Sequence, residues 1–218
     1  MKNVSILVLT FFVVSCQALP VINNAPLPQK GKEALICPSP FLKEKYRLIH
    51  AIEVHMAGDT RSAIIGVTLA DPHSGAVSCA IMTAEGMVLF EADAGAGLLN
   101  VRRALPPFDS TDFAKNMIDD IKLIFFSPSG KIHQKGTLTD GTTVCRWHEE
   151  NGEWTDVSAY QQGNIDIKRY STGGGLKRHV KFNNKASENI YQSIELHAKE
   201  LSNYSLLMTL IEAQPVKN

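Results

Sequence analysis

The sequence predicts a mainly β (α+β) fold: a single curved antiparallel sheet with one main helix on its concave side. Two observations carry this. From Tyr46 onward, runs rich in Val, Ile, Leu and Phe are separated by turn clusters at Gly58-Asp59, Asp71 to Gly75, Glu85-Gly86 and Asp140-Gly141. Such punctuation every 8–12 residues or so marks a meandering antiparallel sheet. One segment, PPFDSTDFAKNMIDDIKLIFF, breaks the rhythm.

In that segment Ser110 and Thr111 are candidate N-caps, and Asp112 places a negative charge in the first turn. Ala114, Met117, Ile118, Ile121 and Phe125 recur at helical spacing, while Lys115, Asn116, Asp119 and Lys122 fall mostly on the other side. This predicts an amphipathic helix over 111–125. Its apolar stripe needs a partner, and the sheet is the large apolar surface at hand. Further strands are expected at about 163–171, 175–183 and 204–213. Residues 186–199 fit a weaker helix, though the alternation of Ile190, Gln192 and Ile194 also fits a strand. No internal repeat or second domain is evident.

The sharpest hairpin signal is TTVCRWHEENGEWTDVSAY, where Asn151-Gly152 is the preferred pair of a two-residue type I′ turn. Counting outward, Glu149 is expected opposite Trp154 and Trp147 opposite Asp156, which puts both tryptophans on one face.

The chain begins with one charge, Lys2, and an apolar run from Val4 to Val14, about half of the roughly 20 residues a membrane span needs. This is a secretory signal. Val13-Val14-Ser15-Cys16 resembles the bacterial lipobox. The expected organisation is a lipoprotein signal peptide at 1–15, a lipidated Cys16 with a flexible, proline-containing tether at 16–40, and a folded domain at 41–218. Acylation of Cys16 would anchor the chain durably once two or more acyl chains are attached. Gln17 is not the Asp that retains lipoproteins at the inner membrane of enteric bacteria, so the expected address is the inner leaflet of the outer membrane, facing the periplasm.

Basic and acidic residues number 22 each, and a neutral chain offers no electrostatic footprint for nucleic acid. Beyond Cys16 the cysteines are Cys37, Cys79 and Cys145. Export permits disulfides, an odd count leaves at least one thiol unpaired, and the spacing matches no zinc pattern. Which cysteines pair stays open.

No nucleophile elbow, phosphate loop, dinucleotide fingerprint or His-Glu-x-x-His motif is present, and no metal or cofactor is expected. His148-Glu149-Glu150 lacks a second histidine, and neighbours on a strand point to opposite faces. Asp119-Asp120 reads as a solvated flank of the helix, and Gly173 to Gly175 as a hairpin turn. The chain is therefore not expected to be an enzyme. What it offers is apolar alternation: Ile65, Val67 and Leu69 in one strand, Val77, Cys79 and Ile81 in the next, then Val88 and Phe90, with Met117, Ile121 and Phe125 from the helix. These stripes fill a core or line a cleft between sheet and helix, where curved sheets hold apolar ligands.

Three passages carry a family resemblance: GAVSCAIMTAEGMVLFEADAGAGL, MIDDIKLIFFSPSG, and IDIKRYS with RHVKFNN and SLLMTLIEA near the end. Over roughly residues 44–213 their order resembles the LolA/LolB-like outer-membrane lipoprotein superfamily, and most nearly its LolB-like lipoproteins. The resemblance implies an unclosed barrel lidded by helices around a cavity for acyl chains. It implies that this protein binds or transfers a lipid or lipid-linked molecule, as a monomer and without covalent chemistry. Ile65, Val67, Leu69, Val77, Ile81, Val88, Phe90, Met117, Ile121 and Phe125 would line that cavity. The receptor's protruding membrane-engaging loop corresponds here to Thr83 to Met87, which is short and acidic; of it Met87 alone could serve, and its nearness to a strand predicts packing instead. The rival expectation is a structural or assembly lipoprotein whose groove or sheet edge binds another envelope protein.

Overall fold

The computed structural model describes residues 19–24, 35–56, 60–160, 163–199 and 203–217. The expected signal peptide at 1–15 and the expected lipidation site Cys16 lie outside these residues. Thirteen strands and one helix follow in chain order: β1 (Asn23–Asn24), β2 (Tyr46–Met56), β3 (Thr60–Asp71), β4 (Ala76–Met82), β5 (Val88–Gly95), β6 (Leu98–Ala104), α1 (Thr111–Phe125), β7 (Lys131–Thr137), β8 (Thr143–His148), β9 (Trp154–Ala159), β10 (Ile165–Tyr170), β11 (Leu176–Ser187), β12 (Ile190–Ala198) and β13 (Tyr204–Pro215).

All strands join one antiparallel sheet in the order β1-β7-β8-β9-β10-β11-β12-β13-β2-β3-β4-β5-β6. Two meanders, β2–β6 and β7–β13, meet where the C-terminal β13 pairs along the length of β2. The sheet does not close: β6 ends one edge, and β7 with the short β1 ends the other. Because α1 links β6 to β7, the chain must cross from one edge to the other, and it does so as the helix.

The helix forms as its sequence predicts. Ser110 Oγ accepts from the Phe113 amide at 3.1 Å, Asp112 lies in the first turn and Lys122 in the last. Ala114, Ile118, Ile121 and Phe125 are buried against the sheet, and Met117 packs at their margin. Inward-facing residues of the facing strands are small in several places (Gly66, Ala70, Ala92, Ala94), which gives the helix room to approach.

The segment 186–199 resolves as strand β12, not helix. The β8–β9 hairpin departs from expectation by one residue. Glu149 pairs its amide with the Glu153 carbonyl at 2.9 Å, the Gly152 amide bonds Glu149 O at 3.0 Å, and Gly152 has φ +83°. That is a three-residue loop with glycine in the left-handed region, not a two-residue type I′ turn. The register becomes His148 opposite Trp154 and Trp147 opposite Thr155. A one-residue slip turns side chains to the other face. Trp147 therefore enters the core, while Trp154 stacks outside against His148 and His133. Gly141, Gly163 and Gly174 close the neighbouring hairpins with the same φ and the same pair of bonds. The four glycines stand eleven residues apart, a periodicity of β7–β11 that reading for repeats did not find.

The residues expected as tether are not free where they are described. Asn23 pairs with Thr137 and Asn24 with Gly136, and Ile22 is buried. Only glycine fits at 136, since a Cβ there would meet Asn23 O at 1.9 Å. Pro20 O accepts from Arg146, whose guanidinium makes a bidentate 2.7 Å pair with Asp156 on the outer face of the sheet. Pro40, Phe41 and Leu42 are buried, and the Leu42 amide donates to Phe125 O at 3.0 Å, satisfying a carbonyl at the end of α1. Cys37 is disulfide-bonded to Cys145 on β8, which leaves Cys79 as the free cysteine among the described residues, and it is buried.

Candidate functional site

Of the residues expected to line an apolar cavity, Val77, Ile81, Phe90, Ile121 and Phe125 belong to the buried core, with Met117 packed against it. Ile65, Val67 and Leu69 do not. Their cross-strand partners are Met82, Ala80 and Ser78, whereas the core residues Ile81, Cys79 and Val77 lie opposite Gly66, Thr68 and Ala70. The alternating face of β3 that meets the helix is thus Gly66, Thr68 and Ala70, and Ile65, Val67 and Leu69 lie on the convex side. Val88 also leaves the core. A bulge sets it opposite Met82, in the outer row, and Leu89 packs inward instead.

The apolar layer between helix and sheet is closely filled. A gap of about 10 Å³ lies among Leu48, His50, Phe125, Phe182, Ile194 and Leu210, room for a single water at most. His50 is almost wholly buried there, and burial pushes its pKa down to about 4.

The open space lies on the other flank of the helix. A cleft of about 1140 Å³ runs between the polar side of α1 with the following residues 126–129, and the ends of β8 to β11. Asp120 is its pivot. Expected to be solvated, it is buried: Oδ1 accepts from Arg178 Nε at 2.8 Å, and Oδ2 accepts from the Tyr204 hydroxyl. Burial pushes the Asp120 carboxyl above the usual carboxylate range, and Arg178 and Tyr204 oppose that shift. Glu149, read from the sequence as the false start of a metal motif, is also buried and accepts from Ser129 Oγ at 2.7 Å and Thr155 Oγ1 at 3.0 Å. Glu153 accepts from Lys177 at 2.6 Å. No group of three potential metal ligands occurs among the described residues. Met87 is 55% exposed at the β4–β5 turn, where packing was expected.

A solved structure, a LolA superfamily protein from Nitrosomonas europaea, is similar over 82% of this chain and 89% of that one, with a TM-score of 0.53 and 11% identity. The fold is LolA-like. At that identity the likeness concerns architecture: an unclosed antiparallel sheet with a helix across its concave side. No family model matches the sequence, and no curated protein matches it. Among the described residues no helix is long and apolar enough to cross a membrane.

Sequence reasoning did not find Asp120, Arg169, Arg178 or Tyr204 as a cluster. The partners come from α1, β10, β11 and β13, so no local motif announces them.

Proposed function

We propose that this protein is a lipid-anchored component of the bacterial cell envelope that binds or transfers a lipid or lipid-linked molecule, its acyl chains entering between α1 and the concave sheet. The anchor is Cys16, the address is the outer membrane, the working form is a monomer, and the reading assigns it no covalent chemistry. The observation that carries it is that the sheet's hydrogen-bond ladder is complete without α1. The helix and the segment 35–42 are the two layers that close an apolar interior. Lifting the helix, while the Cys37–Cys145 bridge keeps the segment on β8, exposes apolar surface without breaking a strand pair. Each 100 Å² of that surface covered by acyl chain stabilises the complex by about 2.5 kcal/mol.

The test is native mass spectrometry of residues 17–218, exported without the acyl anchor and purified gently from the periplasm. A lipid-sized adduct removed by organic extraction is expected. A bare mass, unchanged after incubation with vesicles of envelope lipids, overturns the reading.

One observation favours a second reading, an assembly lipoprotein that binds another envelope protein. Strand β6 is an edge with Leu98, Leu99 and Val101 exposed. An exposed edge strand is a template for strand addition. A stable protein cross-link at β6, together with the bare mass, would select it.

A further inference from the structure

The cleft beside α1 holds two arginines directly opposite each other: Arg169 on β10 pairs with Arg178 on β11, and both line the cleft. Like charges in that arrangement repel, so each needs its own counter-charge. Arg178 has Asp120 at 2.8 Å. Arg169 shares the charge of Asp120 and has Glu153 Oε2 only at 4.0 Å, while Glu153 Oε1 holds Lys177 at 2.6 Å. Arg169 Nε is buried and has no hydrogen-bond partner among the described residues. A buried donor left in that state carries its full desolvation cost uncompensated. Buried polar groups in native structures are nearly all partnered, so this donor calls for a partner from outside the described residues, a water, an ion or a ligand.

The opposite charge stands at the rim. Asp119 and Glu150 are exposed on the two walls, and neither has a hydrogen-bond or ion-pair partner among the described residues. In all, six carboxylates and five cationic side chains line the cleft. A purely anionic ligand would enter against those carboxylates, and a purely cationic one would leave the Arg169 donor unmet. A ligand carrying both signs satisfies both. The cleft also reaches apolar ground, for Leu123 lines it and belongs to the core beneath α1.

We propose that this cleft is a binding site for a zwitterionic phosphodiester headgroup of the phosphoethanolamine type. Its phosphate oxygens accept from Arg169, its ammonium lies between Asp119 and Glu150, and its acyl chains pass Leu123 toward the interior. The placement of the chains rests on the lipid-binding reading above; the headgroup contacts rest on the cleft's own charges.

The test uses residues 17–218, wild type and as R169Q, R169K and D119N/E150Q variants. Each is titrated with glycerophosphoethanolamine, glycerophosphoglycerol and dihexanoyl phosphatidylethanolamine, following the Arg169 Nε–H resonance by NMR and affinity by calorimetry. The phosphoethanolamine probes are expected to shift that resonance. R169Q should weaken them about tenfold or more, as loss of a charge-assisted hydrogen bond does. R169K, which keeps the charge and so guards against a mere loss of folding, should recover only part. D119N/E150Q should weaken the amine-bearing probes and leave glycerophosphoglycerol unchanged. Equal binding of glycerophosphoglycerol and glycerophosphoethanolamine by the wild type overturns the zwitterion assignment. An unshifted Arg169 resonance overturns the site, even where mass spectrometry finds a bound lipid. Equal affinity for the glycerol and dihexanoyl forms makes the water-soluble headgroup the ligand; it upholds the site and counts against the acyl-chain reading.

Discussion

Cys37 is joined to Cys145 across 108 residues of sequence, so a segment that enters the core beside α1 is riveted to strand β8 near the far edge of the sheet. The bridge holds Phe41 and Leu42 where they cover the end of the helix. Closing a loop of this length removes unfolded-state entropy worth about 4–5 kcal/mol in the chain-entropy model. The third cysteine does not compete: burial pushes the Cys79 thiol up to about 12, which suppresses thiolate exchange. The C37A/C145A variant is expected to lose about 4 kcal/mol in urea unfolding. Its Leu42 amide, which donates to Phe125 O, should exchange faster with solvent. Unchanged stability and exchange would mean that packing alone holds the segment.

Arg146 and Asp156 form a buried bidentate pair, each side chain less than a tenth exposed, with Pro20 O as a further acceptor. Removing one partner leaves the other charge buried and alone. The D156A variant should therefore lose about 3–5 kcal/mol, whereas R146M/D156L, which removes both charges, should lose much less. Equal losses would show that packing of residues 19–22, and not the charge pair, dominates this face. Limited proteolysis around Pro20 should quicken in R146M/D156L, which loses the donor to its carbonyl, and less in D156A, which keeps Arg146.

Much of the fold was legible because periodicity survives packing. The helix at 111–125 and strands β10, β11 and β13 lie where their patterns place them. The hairpin at Asn151-Gly152 shows where such reading stops. Asn-Gly serves a two-residue turn, but the same glycine at φ +83° closes a three-residue loop equally well. Local chemistry does not choose between them. Burial does, and it takes Trp147 inward and leaves Trp154 outside.

The site was less legible, for two separate reasons. In β3 the string AIIGVTLA is apolar at both parities, so alternation could not say which face meets the helix. The larger residues were the natural choice for a ligand cavity. The inward row is instead the smaller Gly66, Thr68 and Ala70, because a helix backbone must fit above it. Asp120 fails differently. Its partners Arg178 and Tyr204 are 58 and 84 residues away, and a helical projection can show only that it sits beside the apolar stripe.

His50 gives the fold a calculable acid sensitivity. Its ring packs against Phe125 with centroids 6.1 Å apart, among Leu48, Phe182, Ile194 and Leu210. Burial lowers its pKa from 6.5 to about 4, so the native state resists a proton that the unfolded chain accepts. The unfolded state then binds more protons between those values, and stability rises with pH across that window. The contribution is fully present above about pH 6.5 and is lost as pH falls toward 4, a change of about 3 kcal/mol. Urea unfolding at half-unit steps from pH 7.5 to 4 should show that slope. In H50L, which keeps an apolar side chain of similar bulk, the slope should fall by close to one proton. If the wild type and H50L run parallel through the window, His50 takes up its proton in the folded state, and other groups cause the acid sensitivity.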